Sequence, residues 1–182
     1  VGTNKSAAIW GTAFATYQFS KKVDLRWAAL IPAAAAGLLG SACGAWTVTY
    51  IDPSFLRKAL PFLLIALLIY TLAKKNMGQL HEPRFQGKKE ALVAAGMGLL
   101  IGFYDGFFGP GTGAFLMFLF VYFLGFDFLH GAAATKLVNC VTNLAALALF
   151  IPTGYINWNI ALLMMFFNIL GGISGSGLAI AK

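Results

Sequence analysis

An aspartate, Asp105, stands in the glycine-rich string GFYDGFFGPGTG (102–113), with strongly apolar sequence on either side. A carboxylate at membrane depth costs about 3 kcal/mol or more, so such a residue reads first as functional. The glycines mark a break in helix. Non-helical backbone inside a bilayer survives only within protein or beside a water-filled cavity. Gly109, Gly111 and Gly113 alternate with Pro110 and Thr112, so several peptide N–H groups can turn toward one point. A half-helix starting near Gly113 would add the positive end of its dipole, which suits an anion. Asp105 beside it reads as a proton acceptor, as the partner of a buried lysine, or as a cap on the adjoining half-helix. The bland reading of the glycines is a tight turn between packed helices. A soluble phosphate loop is excluded, because no Lys-Ser/Thr pair follows the glycines and no strand alternates with helix.

Two lysines come next. Lys5 in GTNK (2–5) and Lys136 in AATK (133–136) each open an apolar stretch. An ammonium near a helix start opposes the helix dipole, so its placement calls for a reason. Attraction of an anionic substrate is one; snorkelling to lipid headgroups is the other. Asn139 and Asn143 follow Lys136 by three and seven residues, on one helix face. Together they form a candidate polar lining, although asparagines also bond helix to helix in membranes.

The elements that must position these groups are helices in a bilayer. The chain is 59% hydrophobic and 10% charged, against about 25% charged in ordinary soluble domains. Its net charge of +7 sits in short loops between apolar stretches, which is a topology signal and not a nucleic-acid footprint. The expected class is all-α, a polytopic membrane protein. Helices are expected at 4–20, 27–50 and 57–73, which with residues 1–3 make up a first unit, 1–73. A polar loop at 74–90 joins it to a second unit, 91–182, with further helices at 134–151 and 158–181. The apolar region 91–125 is too long for one crossing of a core about 30 Å thick. Two shorter helices, 91–103 and 113–125, meeting at the glycine-rich tip fit better, either as a re-entrant hairpin or as two full crossings. Cys43 and Cys140 lie in apolar stretches and read as small buried hydrophobes, with no metal-ligand spacing around them. No metal or other cofactor is expected.

At an offset of 131 residues the chain repeats itself. Lys5 aligns with Lys136, Phe19 with Phe150 and Trp27 with Trp158, and Leu39, Gly40 and Gly44 fall on Leu170, Gly171 and Gly175. The small residues in GSACG (40–44) and GGISGSG (171–177) predict close helix packing. The loops 21–26 and 74–90 are rich in Lys and Arg and are expected to be cytoplasmic, in an inner or plasma membrane. The loop equivalent to 21–26 in the second copy, PTGYIN (152–157), is uncharged, which favours inverted copies and hence a re-entrant hairpin.

The string GFYDGFFGPGTGAFL (102–116) resembles the second-half signature of the TauE/SafE sulfite exporter family. ATKLVNCVTNLAALALF (134–150) is similar to that family's next helix, and GTNKSAA (2–8) to the corresponding first-half segment. The resemblance covers essentially the whole chain. It implies an integral membrane transporter with two related halves, moving sulfite, organosulfonates or similar anions. It places Asp105, Gly106, Gly109, Pro110, Gly111, Lys136 and Asn139 in the second-half motif and Thr3, Asn4 and Lys5 in the first. The family's pattern departs at both ends, because a first-half glycine-rich hairpin is expected before Val1 and a final helix after Lys182.

The expectation is therefore alternating access around broken hairpins. Backbone amides at 109–113, helped by Lys136 and Lys5, would bind a small sulfur-containing anion. The expected partners are that anion and the lipid bilayer, with further copies of the chain left open and nucleic acid excluded. Two rivals stand against this. An intramembrane serine protease is suggested by GISG (172–175), but neither His81 nor His130 is an obvious base for it. A non-transporting membrane assembly partner is the other.

Overall fold

A computed structural model describes residues 1–73 and 81–181, and seven helices account for most of them. They are α1 (Gly2–Ser20), α2 (Trp27–Val48), α3 (Pro53–Ala73), α4 (Gly87–Phe107), α5 (Thr112–Tyr122), α6 (Phe128–Phe150) and α7 (Trp158–Ala181). Helices α2, α4, α6 and α7 are each long and apolar enough to cross a membrane. At 1.5 Å per residue α4 measures about 31 Å and α5 only about 16 Å, half the thickness of a hydrocarbon core.

The loops reveal the directions of the helices. Val1 to Asn4 lie beside the 152–157 loop, because the Thr3 hydroxyl accepts from the Asn157 amide and Gly2 abuts the Tyr155 carbonyl. The 21–26 loop is at the other end of α1. The 21–26 and 152–157 loops therefore sit at opposite ends of the bundle, and α1 and α6 run antiparallel. At the 21–26 end, Arg26 makes a bidentate pair with Glu90, both bonds 2.9 Å, which ties the start of α2 to the start of α4. Here too the chain after α5 returns beside the chain before α4. Glu82 N–H donates to the Gly125 carbonyl (2.9 Å) and Arg84 N–H to that of Leu124 (3.1 Å). The α4–α5 hairpin thus enters and leaves at one end of the molecule.

Small residues let α2 and α4 run parallel with their backbones in contact. A Cβ on Gly98, Gly102 or Gly106 would collide with the carbonyls of Ala33, Gly37 and Ser41, and one on Gly40 or Gly44 with those of Leu99 and Phe103. Below this seam Leu30, Leu116, Phe120, Phe126 and Val138 form the main core, filling the space between α2, α5 and α6. The matching glycines of α7 behave differently. Gly171 and Gly175 face open space, and only Gly172 is in close contact, against Gly11 of α1. The close packing expected at both glycine segments is therefore present at 40–44 and only partly at 171–177.

Several boundaries move from their expected places. Helix α6 begins at Phe128, not 134, because Asp127 caps it by accepting the His130 amide at 2.7 Å. Helix α3 begins at Pro53, whose missing N–H costs nothing in a first turn. Helix α4 starts inside the expected polar loop and runs to Phe107, four residues past its expected end. The backbone contact with α2 makes glycine the required residue at 102 and 106, so these positions lie inside the helix. Lys74, Lys75 and the rest of 74–80 lie outside the described residues. Cys43 is exposed on α2 and Cys140 half-buried, so the first is not a core residue.

Candidate functional site

The last turn of α4 and the first of α5 build a polar centre inside an apolar bundle. Because α4 continues through Gly106, Asp105 is helical and points at α1, where its carboxylate pairs with the Lys5 ammonium. Both side chains are buried. The Thr112 hydroxyl lies 2.7 Å from Asp105 Oδ1 and 2.8 Å from the Gly109 carbonyl, and donates its one proton between them. Asp105 Oδ2 is buried with no hydrogen-bond partner among the described residues. Asp105 does not cap α5. That position belongs to Gly111, whose φ of +83° is a left-handed conformation suited to glycine.

The tip itself, 107–111, is half-buried. Tyr104 OH donates to the Pro110 carbonyl and holds the turn closed over the end of α4. Thr112 N–H reaches the Gly109 carbonyl at 3.4 Å, whereas the amides of Gly111, Gly113 and Ala114 donate to no carbonyl outside α5 among the described residues. First-turn amides have no acceptor within their own helix. Three N–H groups are thereby left for a ligand or water.

The structure divides the expected site. Lys5, not Lys136, is the lysine at the tip, where its side chain runs past Gly109. Thr135 reaches Gly113, but Lys136, one residue on, faces the other way. Lys136 lines a cavity of about 410 Å3 between α1, α6 and α7, with Thr12, Asn139 and Asn168 as its polar neighbours. No carboxylate pairs with it among the described residues. Lys136 is also the ninth residue of α6, so the argument from a helix start does not apply to it. Asn143 is off this cavity, buried in the core with its Nδ2 unpartnered. Thr3 bonds the 152–157 loop and Asn4 is exposed, so neither is at the tip nor in the cavity.

Sequence reasoning missed Thr12 and Asn168, which α1 and α7 bring to Lys136 only through tertiary packing. It also missed a cluster at the other end of α6: His81, Asp127 and His130 each place a ligand-type atom within 4.8 Å of the others. Burial, reinforced by the neighbouring His130, holds the His81 imidazole below its ordinary pKa. Ser174 of the GISG string is exposed on α7 and has no hydrogen-bond partner among the described residues. Both histidines are engaged with Asp127 instead.

Known proteins match over the full length. The family model for sulfite exporter TauE/SafE matches residues 1–182. A probable membrane transporter protein of Haemophilus influenzae is 38% identical over 186 residues, covering 100% of this chain and 71% of its own. The probable membrane transporter protein ORF9 of Sinorhizobium sp is 36% identical over 182 residues, covering 100% of this chain and 69% of its own. Probable membrane transporter protein YfcA of Escherichia coli K12 is 34% identical over 183 residues, with 100% and 67% covered. No solved structure matches. A bundle of apolar helices, a buried ion pair at a glycine-rich break and these relatives agree: the chain belongs to the TauE/SafE sulfite exporter family, and is a multi-pass membrane protein of transporter type.

Proposed function

We propose that this protein carries a small sulfur-containing oxyanion, sulfite or an organosulfonate, by alternating access, and that Lys136 receives it. The observation that carries this is the charge balance. Lys5 is neutralised by Asp105, whereas Lys136 has no acidic partner among the described residues and faces a polar cavity of about 410 Å3. That volume is within the usual range for small-ligand sites, about 300–1,000 Å3. Thr12, Asn139 and Asn168 line the cavity around the ammonium. The Thr12 hydroxyl donates to the Ala8 and Ile9 carbonyls and one Asn168 amide proton to that of Met164, which leaves the Asn139 amide and the second Asn168 N–H as neutral donors. Asp105, with one oxygen unpartnered, is the proton-linked group of this reading.

The packing supports two inverted copies. Helix α2 runs parallel to α6, and α7 runs parallel to α1; exchanging α1 with α6 and α2 with α7 turns one pair into the other. Trp27 and Trp158, equivalent at the 131-residue offset, are both about half exposed and lie at opposite ends, as interfacial anchors do. In this reading the α4–α5 hairpin is re-entrant. The same exchange maps the Lys136 cavity onto the place where the α4 tip meets Lys5 and Ser41. A second hairpin of the α4–α5 kind, seated on Gly171 and Gly175, would close the open side of the cavity and turn its tip toward Lys136.

Orientation follows from charge. Lys21, Lys22, Arg26, Arg84, Lys88 and Lys89 gather at one end, against Lys58 near the start of α3 at the other, among the described side chains. The richer end is the cytoplasmic one by the positive-inside rule, in a cell membrane. The test is efflux of sulfite and of an organosulfonate from vesicles holding the full protein. Lys136→Ala should abolish efflux while the protein still inserts and folds; undiminished efflux would remove Lys136 from the mechanism.

A further inference from the structure

At the base of the α4–α5 hairpin, away from Lys5 and Lys136, two segments distant in sequence are held side by side. Glu82 and Arg84 donate backbone hydrogen bonds to Gly125 and Leu124. The approach is so close that a Cβ on Gly125 would strike the Glu82 carbonyl. His81 is thereby fixed against the start of α6, its ring 4.1 Å from that of His130. Asp127 lies under both. Its carboxylate oxygens are 2.8 and 2.9 Å from His130 Nδ1, and Oδ2 is 4.0 Å from His81 Nδ1.

We infer that His81, Asp127 and His130 form a binding site for a divalent transition-metal cation of the zinc type. Two imidazoles and a carboxylate are a ligand set that zinc, cobalt and nickel accept, with water in the remaining position. The ligand atoms already lie within 4.8 Å of one another, and tetrahedral zinc ligands stand about 3.4 Å apart, so small side-chain rotations complete the site. The three side chains are about one quarter exposed, open enough for an ion to enter. Arg26, whose charge acts on His81, is paired with Glu90. The ordinary role of Asp127 as a helix cap is compatible with ligation, because the cap uses its Oδ1.

The cation would staple the two ends of the hairpin, 81–86 and 123–127, into one base. This makes the hairpin's stability depend on metal, whichever anion the protein carries.

The test uses the full chain in detergent, stripped with a chelator and titrated with Zn2+ by calorimetry and by thermal unfolding. One equivalent should bind and raise the melting temperature, and Mg2+ should not. Co2+ should give the visible absorption of a low-coordinate site. His81→Ala should weaken Zn2+ binding by at least about tenfold and remove the rise in melting temperature on adding Zn2+, whatever its metal-free melting temperature. Asp127→Asn, which keeps a capping side chain, should weaken it too. Absence of saturable Zn2+ binding would overturn the site, as would equal binding by wild type and His81→Ala.

Discussion

Lys5 of α1 and Asp105 of α4, one hundred positions apart, pair with each other where their side chains are 2% and 1% exposed. The pair ties the tip of the hairpin to α1. In a dry interior the attraction roughly offsets desolvation, so such a pair matters less for net stability than for what its loss leaves behind.

Lys5→Met leaves a buried carboxylate without its cation and should destabilise the protein by about 3–5 kcal/mol, read by denaturant unfolding in detergent. The double change Lys5→Met with Asp105→Leu should recover most of that loss. A single mutant as stable as wild type would mean that the two groups do not face each other.

Glycines of the α2–α4 seam and of α7 should respond differently. Gly98→Ala forces a methyl into the Ala33 carbonyl and should cost about 1–3 kcal/mol, with α2 and α4 pushed apart. Gly175→Ala meets nothing within 4 Å in this chain and should be neutral or slightly stabilising in its helix. Melting temperatures of the two variants make the comparison. Equal effects would contradict the asymmetry of the seams.

The start of α3 should be acid-sensitive. Asp52 Oδ1 accepts the Ser54 amide at 2.7 Å, and this hydrogen bond holds its carboxyl below its ordinary 3.8. A depressed folded value means that its contribution is present above 3.8 and lost as pH falls through the lower folded value. Hydrogen-exchange protection of the Ser54 amide, corrected for intrinsic rates, should therefore drop in strong acid for wild type but stay flat for Asp52→Asn.

Much of the fold is legible in the sequence because apolar length and charged loops report membrane helices directly. Trp27 and Trp158 mark two helix starts, and the glycines of 102–113 mark the break. The exact end of α4 is not legible, since Gly102 and Gly106 look like helix breakers until the α2 backbone lies against them. The site is less readable. Asp105 announces itself by its cost in an apolar run, but its choice of Lys5 over Lys136 depends on which face of α6 meets the tip. Asn168 lines the Lys136 cavity from across a helix interface that no spacing in the chain encodes.

The central claim is that Lys136, and not the neutralised Lys5, is the cation that holds the anion. Calorimetric titration of the full protein with sulfite, wild type against Lys136→Gln, tests it most directly. Loss of one charged hydrogen-bond donor in a half-buried cavity should weaken binding by at least about tenfold, with the melting temperature unchanged in the absence of sulfite. Sulfite binding to Lys136→Gln with wild-type affinity would contradict it.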